Sequence, residues 1–96
     1  MFIAEVTFWG QEKGGRFTPP QSGFRPQILA GDVKTSCAVT SVEDRVTTFE
    51  FNKPYLVKLE LMFPNEYGNA LSVDGEVALF EGNKQIAAGK ILSESN

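Results

Sequence analysis

Apolar residues along this chain recur at every second position, the period of a strand with one buried face, and not at the 3.6-residue period of a helix. Phe2, Ala4, Val6 and Phe8 fall on one side of a first strand, with Glu5 and Thr7 on the other. The stretch from Gly10 to about Phe24 holds Gly14, Gly15, Pro19, Pro20 and Gly23, which predicts a long irregular loop. A short strand is predicted near Gln27–Ala30, before a turn at Gly31-Asp32. In Val33–Val42, Val33, Thr35, Cys37 and Val39 alternate with Lys34, Ser36 and Thr40. Val46–Phe51 is β-branched and aromatic and is read as a further strand. Leu56–Phe63 sets Val57, Leu59, Leu61 and Phe63 against Lys58 and Glu60, the clearest half-buried strand in the chain. A loop at Pro64–Asn69 follows, then turn signals at Asp74-Gly75 and Gly82-Asn83. Glu76–Glu81 and Lys84–Leu92 form a hairpin around the second of these, and Ser93–Asn96 is expected to fray. No segment carries a capped amphipathic helix, so six or more short strands predict a closed barrel or a sandwich.

At 96 residues the chain fits one domain, residues 1–96, with a single modest core. Eight Phe supply large apolar surfaces for it. A formal net charge of −3 gives no general attraction to DNA, RNA or an anionic membrane, so a nucleic-acid contact needs a local basic patch. The lone Cys37 cannot build an internal disulfide framework, and the N-terminal residues show neither a basic leader nor a sustained apolar run. No apolar stretch approaches the length of a membrane span. Cytoplasm is the expected compartment.

The chain has no histidine, which removes the commonest general base and the Ser-His-Asp and Cys-His pairs. Most zinc sites go with it. Cys37 sits in an alternating strand without a cationic neighbour and is read as a buried structural thiol. Asp74 and Glu76 flank Gly75 as turn residues in preference to an acid–base pair. The run Gly82–Lys90 has the wrong glycine spacing for a phosphate loop, and Ile91 stands where a hydroxyl must bind magnesium. Neither a catalytic activity nor a cofactor is expected. Gly14-Gly15-Arg16 has the one arrangement suited to an anion: adjacent glycines let backbone amides approach a phosphate, and Arg16 adds a charge-assisted contact. Lys13 and Arg25 lie close in sequence. The plainer alternative is a solvated loop whose Arg16 and Arg25 form structural salt bridges.

Gly14-Gly15-Arg16-Phe17-Thr18-Pro19, then Gly23-Phe24-Arg25-Pro26-Gln27, then Asp32-Val33, resembles the opening of the C-terminal barrel domain of elongation factor Tu. Glu81-Gly82-Asn83-Lys84-Gln85-Ile86-Ala87-Ala88-Gly89 is similar to that domain's final hairpin, where a Glu-Gly-Gly-Arg-type turn leads to a Gly-Ala-Gly-type strand. The likeness runs from the first strand to about Leu92. It implies an all-β fold, a six-stranded antiparallel Greek-key closed barrel of the translation-factor C-terminal type. It also implies a domain that binds without catalysis, packing against a GTPase domain and holding the T-arm backbone of aminoacyl-tRNA. On the family's pattern Glu81 and Gly82 inherit an RNA-contact role, and Arg16 a role nearer the domain interfaces. Phe17 stands where the family usually has His. Asn83 and Lys84 replace the second Gly and the Arg of the turn, and Asn52-Lys53-Pro54 replaces a Pro-Gly-Asp-type turn.

The candidate contact residues are therefore Gly14, Gly15, Arg16, Arg25, Glu81, Gly82, Asn83, Lys84 and Lys90. Three partners follow. The leading one is a protein or a component of translation. The second is tRNA, bound weakly through the final hairpin. The third is the target of a decoy, inhibitor or immunity-type protein that kept the fold and lost RNA. Self-association stays open.

Overall fold

The computed structural model describes residues 1–95. Six strands close into an antiparallel barrel: β1 (Phe2–Phe8), β2 (Gln27–Ala30), β3 (Val33–Ser41), β4 (Pro54–Leu61), β5 (Glu76–Glu81) and β6 (Lys84–Glu94). Around the barrel the order is β1-β4-β3-β2-β5-β6. Strands β2, β3 and β4 are consecutive neighbours, and the long β1–β2 connection lets β1 return beside β4, which is Greek-key topology. Closure removes the free sheet edges that would otherwise invite aggregation. Closure is weakest where β2 meets β5, which share only the pairs Gln27↔Phe80 and Ile28↔Leu79.

The period-two pattern decides what fills the barrel. Ala4, Val6, Phe8, Cys37, Val39, Val57, Leu59, Leu79 and Ile91 point inward and are fully buried. Thr35 is buried among them, while Lys34, Lys58 and Glu60 face outward. Leu61 is only half-buried and Phe63 is exposed, because β4 ends at Leu61 and the chain turns into a single helical turn, α1 (Pro64–Tyr67). The expectation that Phe63 joins the inward row is thus corrected.

Val46–Phe51 is not a strand of the barrel. It makes only isolated bridges, Gln21↔Thr48 and Phe8↔Phe51, and crosses one end of the barrel as a cap. Its β-branched and aromatic composition serves that end: Phe49 is fully buried, stacked on Phe8 at 4.9 Å and edge-on to Tyr55 at 5.2 Å. Phe24 from the β1–β2 connection completes the cluster, 5.6 Å from Phe8. The Tyr55 hydroxyl accepts the Glu50 N–H at 2.9 Å, and Phe49 N–H donates to Pro20 C=O at 2.8 Å, so the cap is tied by hydrogen bonds as well as by rings.

The C-terminal segment also departs from expectation. Ser93 and Glu94 continue β6 and pair with Ile3 and Phe2, and Ser95 N–H donates to Met1 C=O at 2.9 Å. The β1 partner strand extends that far, so the polar composition of this stretch did not mean fraying; Asn96 lies outside the described residues.

Candidate functional site

The β1–β2 connection begins with a short 3-10 turn, Gln11–Lys13. Glu12 Oε1 accepts a hydrogen bond from the Asn52 side-chain amide at 2.9 Å, which holds its carboxyl below the usual range. Asn52 itself sits in the left-handed region at φ 62°, a conformation that Asn tolerates better than most residues. The turn is thereby fixed against the barrel end.

Gly14-Gly15 does not form an anion cradle. Gly14 N–H donates to Gln11 C=O at 2.9 Å, Gly15 N–H to Gly10 C=O at 2.9 Å, and Arg16 N–H to Trp9 C=O at 3.0 Å. All three amides are therefore engaged inside the loop. Gly15 is buried, and a Cβ there would stand 2.0 Å from the Trp9 carbonyl oxygen. The close backbone approach that glycine permits is made to Trp9, just past the end of β1, not to a ligand.

Arg16 and Glu81, 65 positions apart, meet: Arg16 Nη1 lies 2.5 Å from Glu81 Oε2. Arg16 Nε also donates to the Thr18 carbonyl at 3.0 Å, and its guanidinium lies 5.7 Å from the centre of the Phe24 ring. One side chain thus joins the loop to the final hairpin over the aromatic cap. Phe17 follows immediately and is 80% exposed, the most solvent-facing large apolar residue described.

The hairpin turn is Gly82-Asn83, between the paired residues Glu81 and Lys84. Gly82 has φ 62° and Asn83 does not share the positive φ, the pattern of a two-residue turn with Gly at its first central position. A second cation holds it from the other side. Lys34 Nζ donates to the Gly82 carbonyl at 3.0 Å and lies 4.3 Å from the centre of the Phe80 ring. Sequence reading missed Lys34, because nothing in its strand signals that a long side chain will run across two neighbouring strands. Between the two clamps Asn83 and Lys84 project into solvent.

The other sequence candidates lie apart. Lys90 is on the outer face of β6, 3.7 Å from Asp74, and β1 and β5 place Glu5 and Glu76 on either side of it. Asp74 occupies a left-handed turn at φ 68°, as turn chemistry required. Arg25 makes no ion pair among the described residues; its Nη1 lies 3.5 Å from the Met62 sulfur. The structural salt bridge anticipated for both arginines therefore holds for Arg16 alone.

No protein-family model and no curated protein matches this chain. Its chemistry must be read from its own residues. Cys37 is fully buried, and burial pushes its thiol up to about 12, far from the thiolate a nucleophile needs. A hollow of about 340 Å³ lies beside the barrel cap and is lined by Ser22, Thr40, Ser41, Glu43 and Thr48 among others. Its serines brace the loop: Ser22 Oγ accepts the Ser41 N–H at 2.8 Å and Ser41 Oγ accepts the Glu43 N–H at 3.1 Å. No helix among the described residues is long and apolar enough to cross a membrane.

Proposed function

We propose that this chain is a non-catalytic binding module of the elongation factor Tu C-terminal type, acting in the cytoplasm on a protein partner or a component of translation. The carrying observation is the Arg16–Glu81 pair, which joins the two stretches that bear the resemblance and leaves Phe17 exposed beside it. An exposed aromatic beside a fixed polar pair suits a protein contact, where aromatic anchors carry most of the binding energy. The binding face is Phe17 with the Gly82-Asn83-Lys84 turn.

RNA is the second reading, favoured by the projecting Lys84 and by Gly82, whose open surroundings admit a ribose or phosphate. Against it, the amides of Gly14–Arg16 are engaged, Arg16 is neutralised by Glu81, and Lys34 is held by Gly82. With so few free phosphate contacts, affinity for tRNA falls to the order of 10⁻⁴–10⁻⁶ M of non-specific electrostatic binding. A tRNA titration at low and physiological salt, with wild type, Lys84→Ala and Glu81→Ala, tests this. Weak binding that salt abolishes supports a protein partner. Sub-micromolar binding at physiological salt that both substitutions remove makes the chain an RNA-binding module.

A further inference from the structure

The chain has two methionines, and both are exposed, Met1 at 46% and Met62 at 47%. Neither thioether packs into the core, so both are open to small oxidants. They differ in what stands beside the sulfur. Arg25 Nη1 lies 3.5 Å from the Met62 sulfur, whereas Met1 is tied to Ser95 through its main chain alone. Both partners of the arginine–sulfur contact are anchored. Met62 follows the last residue of β4, and its N–H donates to Ser36 C=O at 3.0 Å. Arg25 lies between two bonded neighbours: Phe24 C=O accepts the Val39 N–H at 3.0 Å and Pro26 C=O accepts the Cys37 N–H at 3.1 Å.

The contact is weak as it stands, because a thioether is a poor hydrogen-bond acceptor. The register places one carboxylate on the same outer face: Glu60, two residues before Met62 on β4 and paired with Ala38. It does not reach Arg25 as an ion pair, and neither does any other carboxylate among the described residues. The guanidinium therefore stands against the sulfur with N–H donors to spare.

We infer that Met62 is a site of reversible oxidation whose product is held by Arg25. The Met62 sulfur lone pair takes the terminal oxygen of a hydroperoxide. An S–O bond forms and the O–O bond breaks. The leaving oxygen takes the proton of the transferred one and departs as water or an alcohol. Sulfur gives up two electrons, and the hydroperoxide gains them. The sulfoxide oxygen carries partial negative charge and accepts far better than the thioether. Arg25 thus exchanges a weak contact for a charge-assisted hydrogen bond. The rotatable bonds of the methionine side chain let that oxygen turn toward the guanidinium. Sulfoxide formation ordinarily loosens a protein, because it puts a polar group into a core. Met62 lies outside the core, so here oxidation ties the end of β4 to the segment that carries Arg25. The inference goes beyond the Phe17 and Lys84 face and does not depend on it.

The test is thermal melting of the full chain before and after dilute hydrogen peroxide, with wild type, Arg25→Leu and Met62→Leu treated alike. Peptide mass spectrometry measures sulfoxide at Met1 and Met62 and verifies that Cys37, fully buried, is unmodified. Both methionines should convert. The wild-type melting temperature should then rise by about 2–5 °C, the effect of one added, partly solvated hydrogen bond in a domain of this size. Methionine sulfoxide reductases A and B, one for each sulfoxide epimer, should return it to its starting value. Met62→Leu, in which Met1 alone is oxidised, and Arg25→Leu should show no rise. Circular dichroism verifies that each variant is folded, and Arg25→Gln replaces Arg25→Leu should that variant unfold. A wild-type melting temperature that falls or stays unchanged overturns the inference. So does an equal rise in either variant, or a Met62 that stays reduced while Met1 is fully converted.

Discussion

Replacing Phe49 by Ala tests whether the segment across the barrel end is part of the core. Phe49 is fully buried, stacked on Phe8 at 4.9 Å and edge-on to Tyr55 at 5.2 Å. Its N–H donates to Pro20 C=O, a bond that alanine keeps, so the substitution removes the ring alone. Losing the ring forfeits its transfer free energy and opens a cavity that the rigid strands around it fill only in part, which places the cost at about 3–5 kcal/mol. The aromatic geometry with Phe8 and Tyr55 pushes toward the upper part of that range, since such pairs add about 0.5–1.5 kcal/mol beyond area burial. Against a total stability of about 5–15 kcal/mol, the variant folds but is much weakened. Equilibrium urea unfolding followed by tryptophan fluorescence measures the difference, because Trp9 borders this end. With a slope of about 1–3 kcal/mol/M, the midpoint falls by about 1–5 M. Phe17→Ala is the control: at 80% exposure it should stay within about 0.5 kcal/mol of wild type. A loss at Phe49 below about 1 kcal/mol, or equal losses at the two positions, would show that 46–51 is a loose loop and not a cap.

Gly15→Ala forces a Cβ against the Trp9 carbonyl and should cost about 1–3 kcal/mol or more in urea unfolding, as overpacking does, whereas a freely solvated glycine pair would lose nothing. Leu59→Ala should cost about 2–5 kcal/mol and the outward Lys58→Ala under about 0.5 kcal/mol; similar losses would mean that the β4 register is shifted by one. A double-mutant cycle over Arg16→Ala and Glu81→Ala should give a coupling of about 0.2–1 kcal/mol that shrinks in high salt, since both side chains are partly solvated. The Cys37 thiol has a folded pKa of about 12 against 9.0 when unrestrained, a raised value, so its contribution is fully present below pH 9 and is lost as pH rises toward 12. Stability of wild type relative to Cys37→Ala should therefore fall above pH 9 by about 1.4 kcal/mol per pH unit, and a pH-independent difference would show that Cys37 is not buried from solvent.

The barrel was legible because alternation is a local signal: at Phe2–Phe8 and Val57–Leu59 the inward row is as read, while Val33 and Phe63, at the ends of their alternating stretches, are exposed. It failed where composition mimics alternation without a partner strand. Val46–Phe51 has strand-forming residues, yet its bulky side chains serve a plug, and plug or strand is decided by distant neighbours such as Phe8 and Tyr55. Ser93 and Glu94 failed in the opposite sense, because their polar side chains hid a ladder whose stability comes from β1. At the candidate face, Arg16 and Glu81 were singled out separately, and only folding could show that they meet. Lys34 carried no local sign of its place on the Gly82 carbonyl. Gly14-Gly15 misled because glycine signals a close backbone approach without saying what approaches; here it is Trp9.

The most direct test of the binding-module account is affinity purification of the tagged chain from native cells at physiological salt, with Phe17→Ser and Lys84→Glu in parallel and nuclease treatment of half of each sample. The account predicts one protein recovered in near-stoichiometric amount by wild type, resistant to nuclease and lost with Phe17→Ser. RNA as the dominant species, removed by nuclease and by Lys84→Glu but indifferent to Phe17→Ser, would contradict it.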